Sequence, residues 1–478
     1  MGFARNIILI ALALLAAPVP RASAYSLMTH EQLIDLTWDD SIVPLLLSRY
    51  PNLTQAQLNE ARAYAYGGCV IQDIGYYPFG DRLFSNLTHY VRSGDFVVNL
   101  FRNAHTANEL AFAIGALSHY VGDSIGHSEA TNLAVPTEFP KLRARYGSDV
   151  SYGEGEHQHV QTEFAFDIYE ISQHHMAPLH FLRTVGLKVS MRQVALAYYQ
   201  TYGIAAPFSG RRRRLLNIPA YRFSTRYFIP RIAYALTLLH RGSEPPEPTT
   251  AEARLLASEA AHEAAEYNWQ KYRRHAGIGT YTLAGFIFIL PKFGPLKLLA
   301  IKGPTEQTET DYIHSVIMST AVLRRMLAQF TPPGNRRVVP HKLTEDDGVH
   351  PPLPARNPDS HNPKNNPNTL LRSEGPLHPL PNRDLDTGLV VQPGGYALTD
   401  ATYADLLHRL TRNPKQPIPP GIKENIQAYY ADPDLPITTK KDPAKWKQVQ
   451  ADLATLAAMP TSALPEPYPT YATEQSDE

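Results

Sequence analysis

Ala116-Leu-Ser-His119-Tyr-Val-Gly-Asp123-Ser-Ile-Gly-His127 places a histidine, an aspartate and a histidine at i, i+4 and i+8. On an α-helix such residues stack along one face, about 6 Å apart per step at a rise of about 1.5 Å per residue. The segment around them is apolar, so the three polar side chains need buried partners. Two readings meet that need. In one the histidines and the aspartate are satisfied by neighbouring hydrogen bonds. In the other a metal ion supplies the partner, and imidazole with carboxylate suits zinc. A carboxylate in the middle of the stripe can reach metals on either side.

Working outward, the segments from Tyr25 to Phe330 read as mostly helical. Helical spacing of apolar residues covers His30 to Ser48, Leu53 to Gly67 and Thr106 to His127. It continues over Glu156 to Gln173, Met191 to Tyr202, Thr249 to Arg274 and Asp311 to Phe330. Asn52 or Thr54, and Thr106 or Asn108, are helix-start residues, and Gly67-Gly68 is a stop signal. Alternating β-branched runs are scarce. The fold class expected is all-α, a multi-helix bundle with ligands projecting inward from facing helices.

The N-terminus carries Arg5, an apolar run from Ile7 to Ala17, and Ala22-Ser-Ala24. This is the pattern of a secretory signal cleaved before Tyr25. The chain is expected to be exported, to the periplasm or outside the cell. Of the 41 prolines, 24 fall from Pro332 onward. The chain therefore divides into a signal peptide (1–24), a helical domain (25–330), a Pro-rich linker (331–395), a short helical segment (396–460) and a disordered tail (461–478). The helical segment spans Thr399 to Arg412, Gly421 to Tyr430 and Pro443 to Met459.

Composition narrows the function classes. Lysine and arginine number 45, aspartate and glutamate 45, so the formal net charge is zero and nothing points to a polyanionic partner. The lone Cys69 allows no intrachain disulfide and stands in no nucleophile motif. No Walker A or G-x-G-x-x-G motif occurs. Arg211 to Arg214 reads as a solvated loop or as a contact for an anionic surface. Tyr281 to Ile301 is apolar but broken by Pro291, Lys292, Gly294, Pro295 and Lys297. It reads either as two short buried segments around a turn or as an interfacial hairpin in contact with a membrane surface.

Further ligand-type residues accompany the central three. His30 follows Tyr25 by five positions, Asp73 follows the Gly67-Gly68 break, and His89 lies in Asn86-Leu-Thr-His89. His159 and Glu163 repeat the i, i+4 spacing, whereas His157 has Gln161 at i+4. The set His30, Asp73, His89, His119, Asp123, His127, His159 and Glu163 is too large for one tetrahedral zinc and sufficient for two or three.

In order and type these residues resemble the zinc-dependent phospholipase C family and its relatives, the S1/P1 nucleases. The resemblance implies an all-α fold of the phospholipase C/P1 nuclease type. It implies that Tyr25, as mature terminus, holds a zinc through its α-amine and carbonyl together with His30 and Asp123. It implies a second zinc on Asp73, His89, His119 and Asp123, with Asp123 bridging, and a third on His127, His159 and Glu163. Asp73 and Asp123 would be the catalytic carboxylates, with Asp73 as base or orienting group. Only three residues separate Asp123 from His127. This spacing is similar to the branch that includes glycosylphosphatidylinositol-specific phospholipase D. The function implied is a phospholipase C hydrolase acting on phospholipid head groups. The rivals are an S1/P1-type single-strand nuclease, in which Tyr76, Tyr77 and Phe79 would stack on bases, and a zinc-stabilised non-enzymatic interaction protein.

Overall fold

A helix from Ala107 to Gly126 runs through the centre of the protein and is buried from Ala111 to its end. The computed structural model describes residues 26–207, 211–240, 242, 245–290, 301–331 and 380–462. A capping box starts the central helix. Thr106 Oγ accepts from the Glu109 N–H at 3.2 Å, and the Glu109 carboxylate accepts from the Thr106 N–H at 3.1 Å. The helix then passes into a π-helical turn, His127–Thr131, and on into Asn132–Glu138.

The helix Gln55–Gly68, capped the same way by Thr54 and Gln57, lies against the central helix. Glycines let the two backbones meet. A Cβ on Gly68 would lie 2.0 Å from the Phe112 carbonyl oxygen, and one on Gly115 would lie 2.2 Å from that of Ala65. Gly115→Ala is therefore expected to destabilise the protein by about 1–3 kcal/mol through overpacking. Denaturant unfolding checks this; an unchanged midpoint would show that the interface is looser than the contact implies.

The helix Leu27–Thr37 is buried along its whole length. Its opening N–H groups are held from outside, Met28 and Thr29 each donating to the Asp167 carboxylate at 3.1 Å. Asp167 belongs to the helix Glu156–Gln173, so this contact sets the position of the turn that carries His30. Burial, opposed by those hydrogen bonds, pushes the Asp167 carboxyl up to about 6. The helix Glu306–Phe330 closes this side of the bundle, packing on both Leu27–Thr37 and the central helix.

Among the described residues there is no strand, only isolated bridges between Arg383 and Val390 and between Ile418 and Thr461. The all-α reading holds. Several local expectations change. Thr249 to Arg274 is two helices, Ala251–Glu266 and Trp269–Tyr272, separated at Asn268, whose φ is +48°. Arg211 to Arg214 opens a helix, Arg211–Phe223, rather than a loop, consistent with the good helix propensity of arginine. Tyr281 to Ile289 lies in a helix, Ile278–Ile289, that buries Ala284 and Ile287 but leaves Phe288 and Ile289 exposed. Short amphipathic helices at Arg82–Tyr90 and Ser93–Arg102 add to those expected from the sequence.

The expectation of a linker through residue 395 fails at its C-terminal end. Residues 380–395 lie against the body of the protein. Tyr120 donates to the Pro381 carbonyl at 2.6 Å, and Ser93 to that of Arg383 at 2.6 Å. Buried backbone of this kind needs such partners, which a solvated linker would find in water. The helices Ala397–Thr411, Pro420–Tyr429 and Pro443–Ala458 follow, and Leu406, Leu410 and Ile422 join the main hydrophobic core. The readings of residues 1–25, 332–379 and 463–478, and of the turn and second apolar stretch at 291–300, lie outside the described residues.

Candidate metal centre

The ligand-type side chains converge into adjacent clusters within this bundle, all of them buried. His30 comes from the helix Leu27–Thr37, Asp73 from the 3₁₀ turn Gln72–Gly75 and His89 from Arg82–Tyr90. His119 and Asp123 come from the central helix, one turn apart. Asp123 joins them. Its Oδ1 is 3.2 Å from His30 Nε2, while its Oδ2 is 3.1 Å from His119 Nε2 and 3.3 Å from His89 Nε2. Asp73 Oδ1 lies 3.4 Å from His89 Nε2, which is 3.4 Å from His119 Nε2. The two oxygens of Asp123 thus face two different histidine sets.

One turn further along, His127 begins the π turn and meets His159 and Glu163 of the helix Glu156–Gln173. Glu163 Oε1 lies 3.3 Å from His159 Nε2 and 3.7 Å from His127 Nε2. His157 is exposed, leaving His159 as the member of this cluster. Tyr25, the remaining proposed ligand, lies outside the described residues.

The donor sets fit zinc. Ligand atoms at about 2.0–2.1 Å from a tetrahedral zinc stand about 3.3 Å from one another. The separations above, 3.1 to 3.7 Å, centre on that value. Both ring nitrogens of His159, both oxygens of Glu163 and Nε2 of His127 are buried and make no hydrogen bond, so they aim at one another without satisfying one another. Such groups are costly in a protein interior without a cation between them. In His89, His119 and His127 the outer nitrogen is fixed as a ligating histidine requires. His89 Nδ1 donates to the Ser85 carbonyl at 2.7 Å, His119 Nδ1 to that of Cys69 at 2.9 Å and His127 Nδ1 to that of Leu385 at 2.7 Å. Each bond places the proton on Nδ1 and leaves the Nε2 lone pair for a metal. Cys69 thus contributes its carbonyl, while burial pushes its thiol well above the ordinary value.

Burial holds His127 and His159 below the ordinary imidazole value. It pushes Glu163 well above the carboxylate range, and the charge of Asp123 adds to that. At His89 burial is outweighed by hydrogen bonds to Asp123 and Asp73, which hold the imidazolium well above its usual value. At Asp123 burial is outweighed by the charge of His119 and by hydrogen bonds from the surrounding histidines, so the carboxyl stays well below its usual range. Both shifts favour the protonated forms of His89 and Glu163 in the metal-free protein, and ligation needs the unprotonated ones. Zinc titration of the metal-free protein is expected to release protons. Calorimetry in buffers of different ionisation enthalpy measures this, and a heat independent of buffer would contradict the assignment.

Sequence reasoning missed Asp386. It is 2% exposed, and its Oδ1 lies 3.9 Å from His127 Nδ1. It sits in the stretch read as linker, and no spacing rule connects it to the other residues.

Residues 29–206 match the family model described as zinc dependent phospholipase C. No curated protein and no solved structure matches the chain. The matched residues contain all eight clustered ligand side chains. The helical segment that builds this centre is therefore similar to the zinc-dependent phospholipase C family over residues 29–206.

Proposed function

We propose that the protein is an exported zinc-dependent phosphodiesterase, a phospholipase C that hydrolyses phospholipid head groups. The observation that carries the reading is the arrangement of Asp123, one oxygen toward His30 and the other toward His89 and His119, one turn from the His127, His159 and Glu163 cluster. These residues would hold two or three zincs, with Tyr25 completing the set after signal cleavage. Bound zinc supplies an activated water, whose pKa falls toward about 7, and neutralises charge on the phosphoryl oxygens.

The chain's own groups do the rest. Asp73, at 5% exposure, is the member of the set nearest solvent. Burial raises its pKa, but the charge of His119 and the hydrogen bond to His89 more than reverse this and keep it ionised. As an anion at the edge of the cluster it is suited to orient the attacking water. Asp123, also anionic, holds three imidazoles in register.

Lipid is favoured over nucleic acid by the aromatic residues. Tyr76 and Tyr77 are buried, Tyr77 against Tyr221, leaving Phe79 of that trio exposed for base stacking. The helix Ile278–Ile289 exposes Ile278, Tyr281, Phe288 and Ile289. It borders a groove that also contains Arg183, Arg231, Arg273 and Arg274. Exposed apolar residues beside arginines suit the surface of an anionic bilayer. No described helix is long and apolar enough to cross a membrane. Replacing Phe288 and Ile289 together by aspartate is expected to weaken binding to phosphatidylserine-containing vesicles by about tenfold or more. Hydrolysis of a short-chain monomeric substrate should be unaffected. Equal vesicle binding by variant and parent would remove this surface from the account.

The substrate class is tested with purified protein, zinc, and phosphatidylcholine, phosphatidylinositol or single-stranded DNA. Release of diacylglycerol supports the lipase. Cleavage of DNA alone would move the protein to the nuclease branch. No hydrolysis by a zinc-loaded protein would favour a non-enzymatic role.

A further inference from the structure

Beyond residue 206, where the family match ends, a segment far along the chain closes over both metal clusters. The Leu385 N–H donates to the His89 carbonyl at 3.1 Å, and the Leu385 carbonyl accepts from His127 Nδ1 at 2.7 Å. One residue of the segment is thus bonded to a histidine from each cluster. Asp386 follows, its Oδ1 3.9 Å from the same His127 Nδ1. The carboxylate is not mobile. Its Oδ2 accepts from Tyr90 at 2.9 Å and from Tyr396 at 2.7 Å, and its backbone carbonyl accepts from Asn132 at 2.9 Å.

The turn that presents these groups is itself built. Asp384 Oδ1 accepts from the N–H groups of Asp386 and Thr387, at 3.0 and 3.1 Å. Gly388 has φ +68°, and a Cβ there would lie 2.3 Å from the Ser124 carbonyl oxygen on the central helix. Only glycine meets both conditions. This much organisation in a turn between a proline-rich stretch and a helix requires a cause, and its contacts converge on His127.

We propose that residues 380–395 form a strap that is part of the metal centre, with the Leu385 carbonyl and the Asp386 carboxylate as positioning groups for His127. The carbonyl fixes the Nδ1–H tautomer. The buried carboxylate behind it raises the electron density of the ring, and Nε2 is turned toward His159 and Glu163. Outer partners of ligating histidines act in this way on metal affinity and ligand orientation. Asp386 touches no reacting atom in this scheme. The inference rests on the metal reading proposed above and adds that the matched segment is incomplete without the strap.

The test uses the full chain carrying Asp386→Asn, which keeps size and removes charge. Metal content, chelator competition and the visible absorption of the cobalt-substituted protein are measured beside the parent. The expected result is selective. Affinity at the His127, His159 and Glu163 position falls by about 10- to 100-fold, its part of the cobalt spectrum changes, and metal on the Asp123 side is retained. Tyr396→Phe, which removes one of the two tyrosine bonds to Asp386, should give a smaller loss of the same kind and decides the matter if the asparagine variant does not fold. Unchanged affinities and an unchanged spectrum in folded variants would overturn the strap while leaving the metal reading intact. A parent protein that binds no metal would overturn both.

Discussion

Asp123→Asn is expected to lower phosphodiester hydrolysis by about a thousandfold or more and to weaken metal binding at the His30 set and at the His89 and His119 set, which Asp123 joins. The substitution barely alters size. It replaces a carboxylate whose two oxygens face three imidazoles at 3.1 to 3.3 Å with a carboxamide that has one oxygen and an NH₂ group. The NH₂ is a donor and cannot ligate, so one of the two histidine sets loses its bridge. The charge that offsets the buried imidazoles disappears with it. Steady-state hydrolysis and metal content, measured on the same preparation, check both halves. A variant with full activity and full zinc would remove Asp123 from the centre and with it the two-sided geometry on which the functional reading stands.

Stripping metal with a chelator is expected to lower the thermal unfolding midpoint by about 10 °C or more. The reasoning is energetic. Without a cation, His159 and Glu163 present four buried polar atoms that make no hydrogen bond. Each such atom costs about 1–3 kcal/mol. Ligand bound only to the folded state also stabilises it by mass action, about 4 kcal/mol at a thousandfold excess over Kd. In a chain of this size, about 1 kcal/mol moves the midpoint by about 2 °C, so several such terms give the shift expected. The burial shift of Glu163 adds a pH signature. Its folded-state pKa is raised, so in the metal-free protein its contribution to stability is present below the ordinary carboxylate value and is lost as pH rises. Metal reverses that cost. Calorimetric unfolding with and without chelator measures the difference, and identical midpoints would mean that the clusters are held by protein contacts alone.

What the sequence disclosed follows from local rules. Thr106 with Glu109 and Thr54 with Gln57 are capping boxes readable within four residues, and both helices begin where those residues stand. Glu156–Gln173 and Met191–Tyr202 match their expected bounds because periodicity and flanking signals agree there. The His119 with Asp123 and His159 with Glu163 pairs are legible because one helical turn brings such residues together wherever the helix lies. That His30, Asp73 and His89 join Asp123 follows from no spacing rule. Resemblance supplied that grouping, and tertiary packing carries it out.

The misses have the opposite character. Asp386 meets His127 across 259 positions, and its local sequence, Asp384-Leu-Asp386-Thr-Gly388, is that of an ordinary turn. The density of prolines from Pro332 onward carries the linker signal to residue 395 and masks the Asp and Gly of that turn, the kind of signal that ends a linker. The break at Asn268 was missed because asparagine adopts positive φ without announcing it in the apolar pattern. Periodicity does not mark the exposed face of Ile278–Ile289, because its residues are apolar apart from two glycines and two threonines, with no charged side.

The central claim is that these clusters are a zinc centre, and the most direct measurement is the metal content of the purified, folded protein by mass spectrometry after exposure to zinc and removal of excess. The account predicts roughly two or three zincs per chain. A folded protein that retains no zinc under those conditions would contradict it.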